Sequence, residues 1–244
     1  MKNQIILFLG TILRKMIIST EHKIIYLSNC KCASTTVRQH FLPVQNEELV
    51  NKVQDRAMGN PHMPYHQILK ALEYHQENIN TEEFFLFSTI RNPWERIVSL
   101  YNYCKPDKNC VPFWGAKFGN KREEGTSCSF EKFIFSGLNA HFNKTGGSFR
   151  YACRNAQDMF GENYNKIKIY KSEELDVNKI MDDINDSILE AKVGRVKFKI
   201  IDSDSWEEKE KIESKNYREY YNDELRNIIA NHYELDIKIG EYEF

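Results

Sequence analysis

Lys31 lies in a segment that supplies most of what a protein uses to hold a phosphate. Three hydroxyl residues follow it, Ser34, Thr35 and Thr36, and a helical pattern begins at the second of them. The first amides of a helix have no partners inside the helix, and the helix dipole favours negative charge at the same end. A cation, three hydroxyls and such amides together predict an anion site at this helix start.

A second segment, Arg91 to Ser99, has the same character. Asn92 suits the N-cap of a helix, Pro93 suits its first position, and Glu95 stands where a capping-box partner reaches back. An arginine in front of such a helix start can offer a phosphate two parallel hydrogen bonds, which a lysine cannot. The two segments together predict one ligand that carries phosphate at both ends.

Each segment follows an apolar run that is typical of a buried strand. Strands are predicted at residues 23–27, 84–90, 166–170 and 196–201. Helical periodicity predicts helices at residues 35–42, 65–76, 94–104, 130–138, 177–188 and 223–236. Strands that alternate with helices predict an α/β fold in a single domain, with a central, mostly parallel sheet flanked by helices.

The composition is that of an ordinary globular protein. The chain has 244 residues, of which 41% are hydrophobic and 28% charged, and its net charge is −1. This balance offers no general attraction to nucleic acid and the sequence shows no basic stripe, so no nucleic-acid partner is predicted. Any binding of anions has to be local.

The cysteines leave two interpretations open. Cys30 and Cys32 are too close together for a Cys-x-x-Cys zinc pair, and no matching pair follows. In the first interpretation the chain is a cytoplasmic enzyme with reduced, partly buried thiols. In the second, disulfides form around an irregular insert in an oxidising compartment, among the four cysteines that follow: Cys104, Cys110, Cys128 and Cys153.

Two stretches depart from the regular pattern. Residues 1–22 are apolar in two short runs, too short to span a bilayer, and are predicted to form a helix packed on the domain or lying on a membrane surface, or to be a vestigial anchor. Residues 105–129 form an irregular insert with prolines, glycines and aromatic residues. Loops of this length in a compact domain usually serve as lids or binding walls.

The two anion segments resemble those of the sulfotransferase superfamily that uses 3′-phosphoadenosine 5′-phosphosulfate (PAPS), and most closely its carbohydrate-type branch, sulfotransferase family 2. In that family one strand ends in a Lys-x-(Gly/Ala)-x-Thr loop that holds the 5′-phosphosulfate. A later strand ends in Arg-(Asp/Asn)-Pro-x-x-Arg-x-x-Ser-x-Tyr, which holds the 3′-phosphate. Here these motifs are Lys31 to Thr36 and Arg91 to Tyr101. Ala33 stands where many relatives have glycine.

The resemblance extends over residues 23–244. Residues 129–133 look like the short helix that follows the 3′-phosphate segment, and residues 169–175 look like a strand with a Glu-x-Leu turn. The tail at residues 240–244 resembles a Gly-Tyr-x-Phe end. The resemblance implies a sulfotransferase fold, similar to that of P-loop NTPases, across this range.

The resemblance also implies roles for individual residues. Lys31 would bind the bridging and 5′-phosphate oxygens and stabilise charge on the leaving phosphate. Arg91 and Ser99 would hold the 3′-phosphate. The remaining donor-binding positions are Cys32, Ala33, Ser34, Thr35 and Thr36 in the first loop and Lys215 and Arg218 near the C-terminus.

The acceptor needs a base, and His62 is the first candidate. Relatives place a histidine between the two phosphate motifs, and an imidazole suits proton transfer near neutral pH. His66 lies four residues further on and shares a helical face with His62 if the helix begins early enough, so both are candidate catalytic residues. Arg96 is interpreted as structural, paired with Glu95 or a helix neighbour.

The function predicted from these observations is sulfuryl transfer from PAPS, without a metal, to a glycan or small molecule. The accepting group is a hydroxyl, with an amine as the second choice. A kinase-like nucleotide-binding protein and a non-catalytic module that binds the nucleotide are the alternatives. The predicted location is cytoplasmic, with a membrane-associated or Golgi-lumenal enzyme as the other choice, and the oligomeric state is not predicted.

Overall fold

The computed structural model describes residues 16–56, 62–75, 79–104, 128–138, 152–190 and 216–244. The chain divides into two compact units. We call residues 1–90 with 156–206 the sheet unit and residues 91–155 with 207–244 the helical unit.

Strands and helices alternate through the described part of the chain. The strands are β1 (Ile17–Ser19), β2 (Ile24–Leu27), β3 (Phe85–Ile90) and β4 (Lys168–Lys171). The α-helices are α1 (Ser34–Phe41), α2 (Glu47–Arg56), α3 (Tyr65–Tyr74), α4 (Pro93–Cys104), α5 (Phe130–Lys132), α6 (Ala156–Phe160), α7 (Val177–Glu190), α8 (Asp223–His232) and α9 (Glu234–Gly240). A π-helical stretch, Phe133–Leu138, continues α5, and 3-10 turns occupy Leu42–Val44, Thr81–Glu83, Gly161–Lys166, Ser172–Glu174 and Tyr217–Tyr220.

Among its described residues, the sheet unit contains a four-stranded sheet in the order β1-β2-β3-β4. Strands β2, β3 and β4 run parallel, and β1 pairs antiparallel with β2. Every residue of β2 is buried, so both faces of the sheet are covered at this strand. The α/β class and the mostly parallel sheet predicted from the sequence are therefore confirmed.

Three of the predicted strands are present. A further strand, β1, stands where a helix was predicted. Residues 17–19 were predicted to belong to an N-terminal apolar helix, but they form β1, with Ile17 opposite Tyr26 and Ile18 opposite Ile25. This pairing buries both isoleucines completely, and β-branched residues suit a strand better than a helix. The predicted strand at 196–201 lies outside the described residues.

One face of the sheet packs against α1 and α7. The core there is built from Tyr26, Phe87 and Tyr170 of the strands, with their rings in contact. The helices contribute the buried residues Val37 and Phe41 from α1 and Ile180 and Ile184 from α7. Because α1 is held on the sheet along its length, its first turn is fixed at the carboxyl end of β2.

The helical unit begins at α4, whose start matches the sequence pattern. The Asn92 side-chain oxygen accepts hydrogen bonds from the backbone N–H groups of Trp94 (3.1 Å) and Glu95 (3.4 Å). Pro93 is the first helical residue. Both the N-cap and the proline position are confirmed.

The C-terminal helix of the helical unit differs from its prediction. Residues 223–236 were predicted as one helix, but the backbone leaves the helical conformation at Tyr233, and α9 begins after it. The tail then turns back at Glu241, which has a positive φ of 50°. Gly240 lies so close to the Tyr242 ring that a Cβ atom would overlap it, so a larger residue there would require the ring to shift.

Candidate functional site

The loop between β2 and α1 has an unusual backbone. Lys31 has φ 61° and Ala33 has φ 57°, so two residues with side chains occupy the left-handed region. A left-handed residue followed by a right-handed helix turns successive N–H groups toward one point, an arrangement that binds anions. We call residues 30–36 the lysine loop.

The first turn of α1 adds its amides to the lysine loop. The N-cap residue is Ala33, whose methyl group accepts no hydrogen bond, so the helix start lacks the side-chain cap that a serine or aspartate there would give. Ser34 is buried, whereas Thr35 and Thr36 are exposed. Lys31 is half-buried and Cys32 fully buried. The lysine loop thus joins a cation, exposed hydroxyls and uncapped amides.

His62 lies at the same end of the sheet unit. Its side chain is buried, and its Nδ1 atom is 3.0 Å from the Ser28 carbonyl oxygen and 3.2 Å from the Ser28 hydroxyl. Because a carbonyl oxygen only accepts, Nδ1 carries the proton and donates it to Ser28. In its neutral form the ring has its acceptor lone pair at Nε2, as a general base requires.

His66 does not share a helical face with His62. Helix α3 begins at Tyr65, three residues after His62, so His62 precedes the helix. His66 is exposed on the first turn of α3. The shared face expected from the spacing is therefore wrong, because Pro64, in an extended conformation, directly precedes the helix.

In the helical unit, Arg91 is held by its own helix. Its Nη1 atom donates to the Ser99 hydroxyl at 3.4 Å, and its Nη2 atom forms a short ion pair with Glu95. The Glu95 carboxylate, which the capping-box pattern directs toward the Asn92 backbone, lies against Arg91. A hydroxyl that accepts from Arg91 keeps its own proton to donate to an anion.

The C-terminal tail packs beside the start of α4. The Asn92 side-chain amide donates to the Glu243 carbonyl at 3.2 Å, and the Phe244 ring contacts Trp94 at 5.4 Å. Arg218 is exposed, with its guanidinium 5.9 Å from the centre of the Phe244 ring. Lys215, the other basic residue predicted near the C-terminus, lies outside the described residues.

Arg96 is structural, as predicted, but its partners are not those expected. It is almost fully buried, with Nη1 3.6 Å from the buried Asp236 carboxylate. Its Nη2 atom donates to the carbonyls of Ala152 and Arg154, and its guanidinium lies over the Tyr233 ring. Arg96 therefore ties α4 to α9 and to the turn before α6 rather than to Glu95.

The structure describes the side chains of four cysteines, and all four are buried. These are Cys30, Cys32, Cys128 and Cys153, whereas the side chains of Cys104 and Cys110 lie outside the described residues, so both interpretations of the cysteines stay predictions. Among the described residues, no helix is long and apolar enough to cross a membrane. In the same residues, no group of three or more metal-binding side chains occurs.

A family model described as Sulfotransferase family matches residues 14–243. The chain belongs to the sulfotransferase family. The match covers nearly the whole chain and includes the lysine loop, His62 and the start of α4. A search of curated proteins and a search of solved structures each gave no match.

Family membership supports transferase activity and agrees with the α/β architecture of the sheet unit. Within a sulfotransferase, the lysine loop and His62 belong to the sheet unit, and Arg91 with Ser99 belongs to the helical unit. Ser28 contacts His62, and Glu95 pairs with Arg91. These two supporting contacts were not predicted. The sequence around Ser28 does not indicate this contact, because its partner His62 is 34 positions away along the chain.

Proposed function

We propose that this sulfotransferase moves a sulfuryl group from PAPS to a hydroxyl of a glycan or small molecule. The observation that carries the proposal is the lysine loop, in which Lys31 and the uncapped first turn of α1 follow the end of β2 with two left-handed residues between them. Lys31 and the amides bind the 5′-phosphosulfate. Thr35 and Thr36, the exposed hydroxyls, donate to its oxygens.

His62 takes the proton in the proposed reaction. The acceptor oxygen forms a bond to sulfur while the bond from sulfur to the bridging phosphate oxygen breaks, and the acceptor proton passes to Nε2 of His62. Adenosine 3′,5′-bisphosphate (PAP) leaves, with its new charge stabilised by Lys31. The hydrogen bond from Nδ1 to Ser28 holds the ring in the tautomer that this step needs.

Arg91 and Ser99 bind the 3′-phosphate in the same proposal. The planar guanidinium is already oriented by Ser99 and Glu95, so little side-chain entropy is lost when the phosphate binds. This phosphate distinguishes PAPS from ATP, which has a 3′-hydroxyl. Arg218, on the exposed surface beside Phe244, is a further candidate for this end of the donor.

Calorimetry with PAP, adenosine 5′-phosphate and ATP tests the donor. We expect PAP to bind most tightly, and Arg91→Lys to weaken PAP about 10- to 100-fold because a lysine cannot form two parallel hydrogen bonds. Binding of adenosine 5′-phosphate, which lacks the 3′-phosphate, should stay unchanged. Arg226→Lys, in the same unit, is the matched control and should alter neither ligand.

Two results would contradict the donor assignment. ATP binding more tightly than PAP would favour the kinase-like alternative. Equal affinity of wild type and Arg91→Lys for PAP would remove Arg91 from the 3′-phosphate.

The base is tested with His62→Ala. We expect turnover of labelled PAPS, in the presence of an extract of the protein's own organism, to fall about 10²- to 10⁴-fold. The affinity for PAP should change by no more than about twofold, because the proton acceptor is not a donor ligand. Turnover is followed as loss of label from the donor.

His66→Ala is the matched control for the base, since it removes the exposed neighbouring imidazole. It should leave turnover near the wild-type rate. A large loss in His66→Ala with normal turnover in His62→Ala would reverse the two roles. Tight PAP binding by the wild type with no turnover in any extract would indicate the non-catalytic module.

The proposed acceptor is a class of molecule, a glycan or a small molecule that carries a hydroxyl. Identifying the labelled product of the extract experiment gives the acceptor and its sulfated position. A cytoplasmic location is proposed, in which cysteine thiols stay reduced. Fractionation of cells that express a tagged chain tests this against the membrane-associated and Golgi alternatives.

A further inference from the structure

A threonine of β3 is bonded to the middle of the lysine loop. Thr89 is completely buried, and its hydroxyl donates to the backbone carbonyl of Cys32. Cys32 stands between the two left-handed residues, Lys31 and Ala33. The bond therefore fixes the loop at its most unusual point, from a strand 57 positions further along the chain.

A buried tyrosine completes this arrangement. The Tyr26 hydroxyl is 2.9 Å from the Thr89 hydroxyl, and Tyr26 is also completely buried. Thr89 has one proton and gives it to the carbonyl, which only accepts, so Tyr26 must donate to Thr89. Burial also raises the pKa of the Tyr26 phenol, which keeps its proton in place.

The lysine loop needs an anchor of this kind. A left-handed conformation is unfavourable for a residue with a Cβ atom, so Lys31 and Ala33 keep theirs only where the surroundings impose it. Residue 33 cannot supply the freedom of a glycine. The held Cys32 carbonyl restrains the peptide plane between Cys32 and Ala33, and this plane lies between the two left-handed residues and carries the Ala33 amide.

We infer that Tyr26 and Thr89 are positioning residues for the 5′-phosphate end of the donor. Neither residue touches the donor in this inference, and both act through the Cys32 carbonyl. The inference rests on the proposed function, because it assumes that the lysine loop holds the 5′-phosphate of PAPS.

The test compares two ligands that differ only in the 5′-phosphate. The ratio of the Kd of adenosine 3′-phosphate to the Kd of PAP measures what the 5′-phosphate contributes. We expect Thr89→Val, which has the same shape without the hydroxyl, to reduce this ratio about tenfold. Thr89→Ser should restore it, and Tyr26→Phe should reduce it about threefold because Thr89 can still donate.

Ser88→Ala is the matched control. Ser88 is the neighbouring residue of β3, equally buried, and its hydroxyl donates at 2.6 Å to the carbonyl of Leu27, which belongs to β2 rather than to the loop. This variant loses a hydrogen bond of the same kind, so its melting temperature should fall as in Thr89→Val. Its ligand ratio should equal that of the wild type.

The outcomes separate the inference from the proposed function. If the wild type binds adenosine 3′-phosphate as tightly as PAP, the proposed function fails. If the wild type prefers PAP and Thr89→Val keeps the full ratio, or Ser88→Ala loses the ratio equally, the positioning role is wrong. If Thr89→Val does not fold, Tyr26→Phe replaces it as the test. An unchanged ratio in Tyr26→Phe then overturns the inference.

Discussion

Lys31→Ala is expected to lose about 10²- to 10³-fold in the turnover of PAPS, the loss usual for removing one group that stabilises transition-state charge. The leaving phosphate gains charge as the bond to sulfur breaks, and Lys31 is the cation of the lysine loop. Alanine keeps a Cβ atom at φ 61°, so the variant removes the charge without relieving the backbone. Turnover of labelled PAPS in an extract is the measurement, with PAP affinity measured alongside.

Lys23→Ala is a closely matched control for this experiment. Lys23 is also a half-buried lysine of the sheet unit with a positive φ, 53°, but it precedes β2 instead of following it. Its ammonium group pairs with Glu83 at 3.1 Å. We expect Lys23→Ala to keep wild-type turnover. Equal turnover in Lys31→Ala and the wild type would show that the lysine loop has another role.

Arg96→Met is expected to destabilise the protein by about 3–5 kcal/mol, the usual effect of removing one member of a buried ion pair. The substitution removes the Arg96 cation from the buried Asp236 carboxylate, and it removes the Arg96 donor from the carbonyls of Ala152 and Arg154. Urea unfolding measures the difference, as a shift of the midpoint at constant slope.

A control variant and a double variant distinguish the effect of breaking a buried ion pair from the effect of removing a charge. Arg226→Met removes an arginine from an exposed pair with Asp223 in the same unit and should cost only about 0–1 kcal/mol. Replacing both Arg96 and Asp236, by Met and Leu, should recover part of the loss because neither charge of the pair stays buried. A loss below about 1 kcal/mol in Arg96→Met would mean that water reaches Asp236 and that the pair is not structural.

Local sequence patterns were sufficient to predict the strands and helices that carry the candidate residues. Asn92 and Pro93 begin α4 because capping depends on neighbours within three residues. The strands before both anion segments were found from short apolar runs. The strand β1 was missed because an apolar run of three residues, at positions 16–18, does not distinguish a strand from a helix.

Contacts between distant residues could not be predicted from one sequence. The bonds from Thr89 to Cys32 and from His62 to Ser28 join residues 57 and 34 positions apart. Nothing in the local pattern of either partner marks the other. For the same reason Arg96 was assigned a neighbour on its own helix, although Asp236 lies 140 positions further along the chain.

The left-handed backbone conformation of the lysine loop could not be predicted from the sequence for a different reason. A glycine normally marks a left-handed residue, because it adopts a positive φ without a steric penalty. Here the left-handed positions hold Lys31 and Ala33, so the motif was recognised by its residue types and not by its conformation.

The bond between Asn92 and the Glu243 carbonyl bears on the order in which the chain acquires its structure. It joins positions 151 apart, so Glu243 leaves the ribosome well after Asn92. During synthesis, α4 can form with its local cap, because Trp94 and Glu95 are already present. The side-chain amide of the same asparagine is engaged only after the tail has docked. The start of α4 therefore acquires its final surroundings only after strands β2, β3 and β4 have been synthesised.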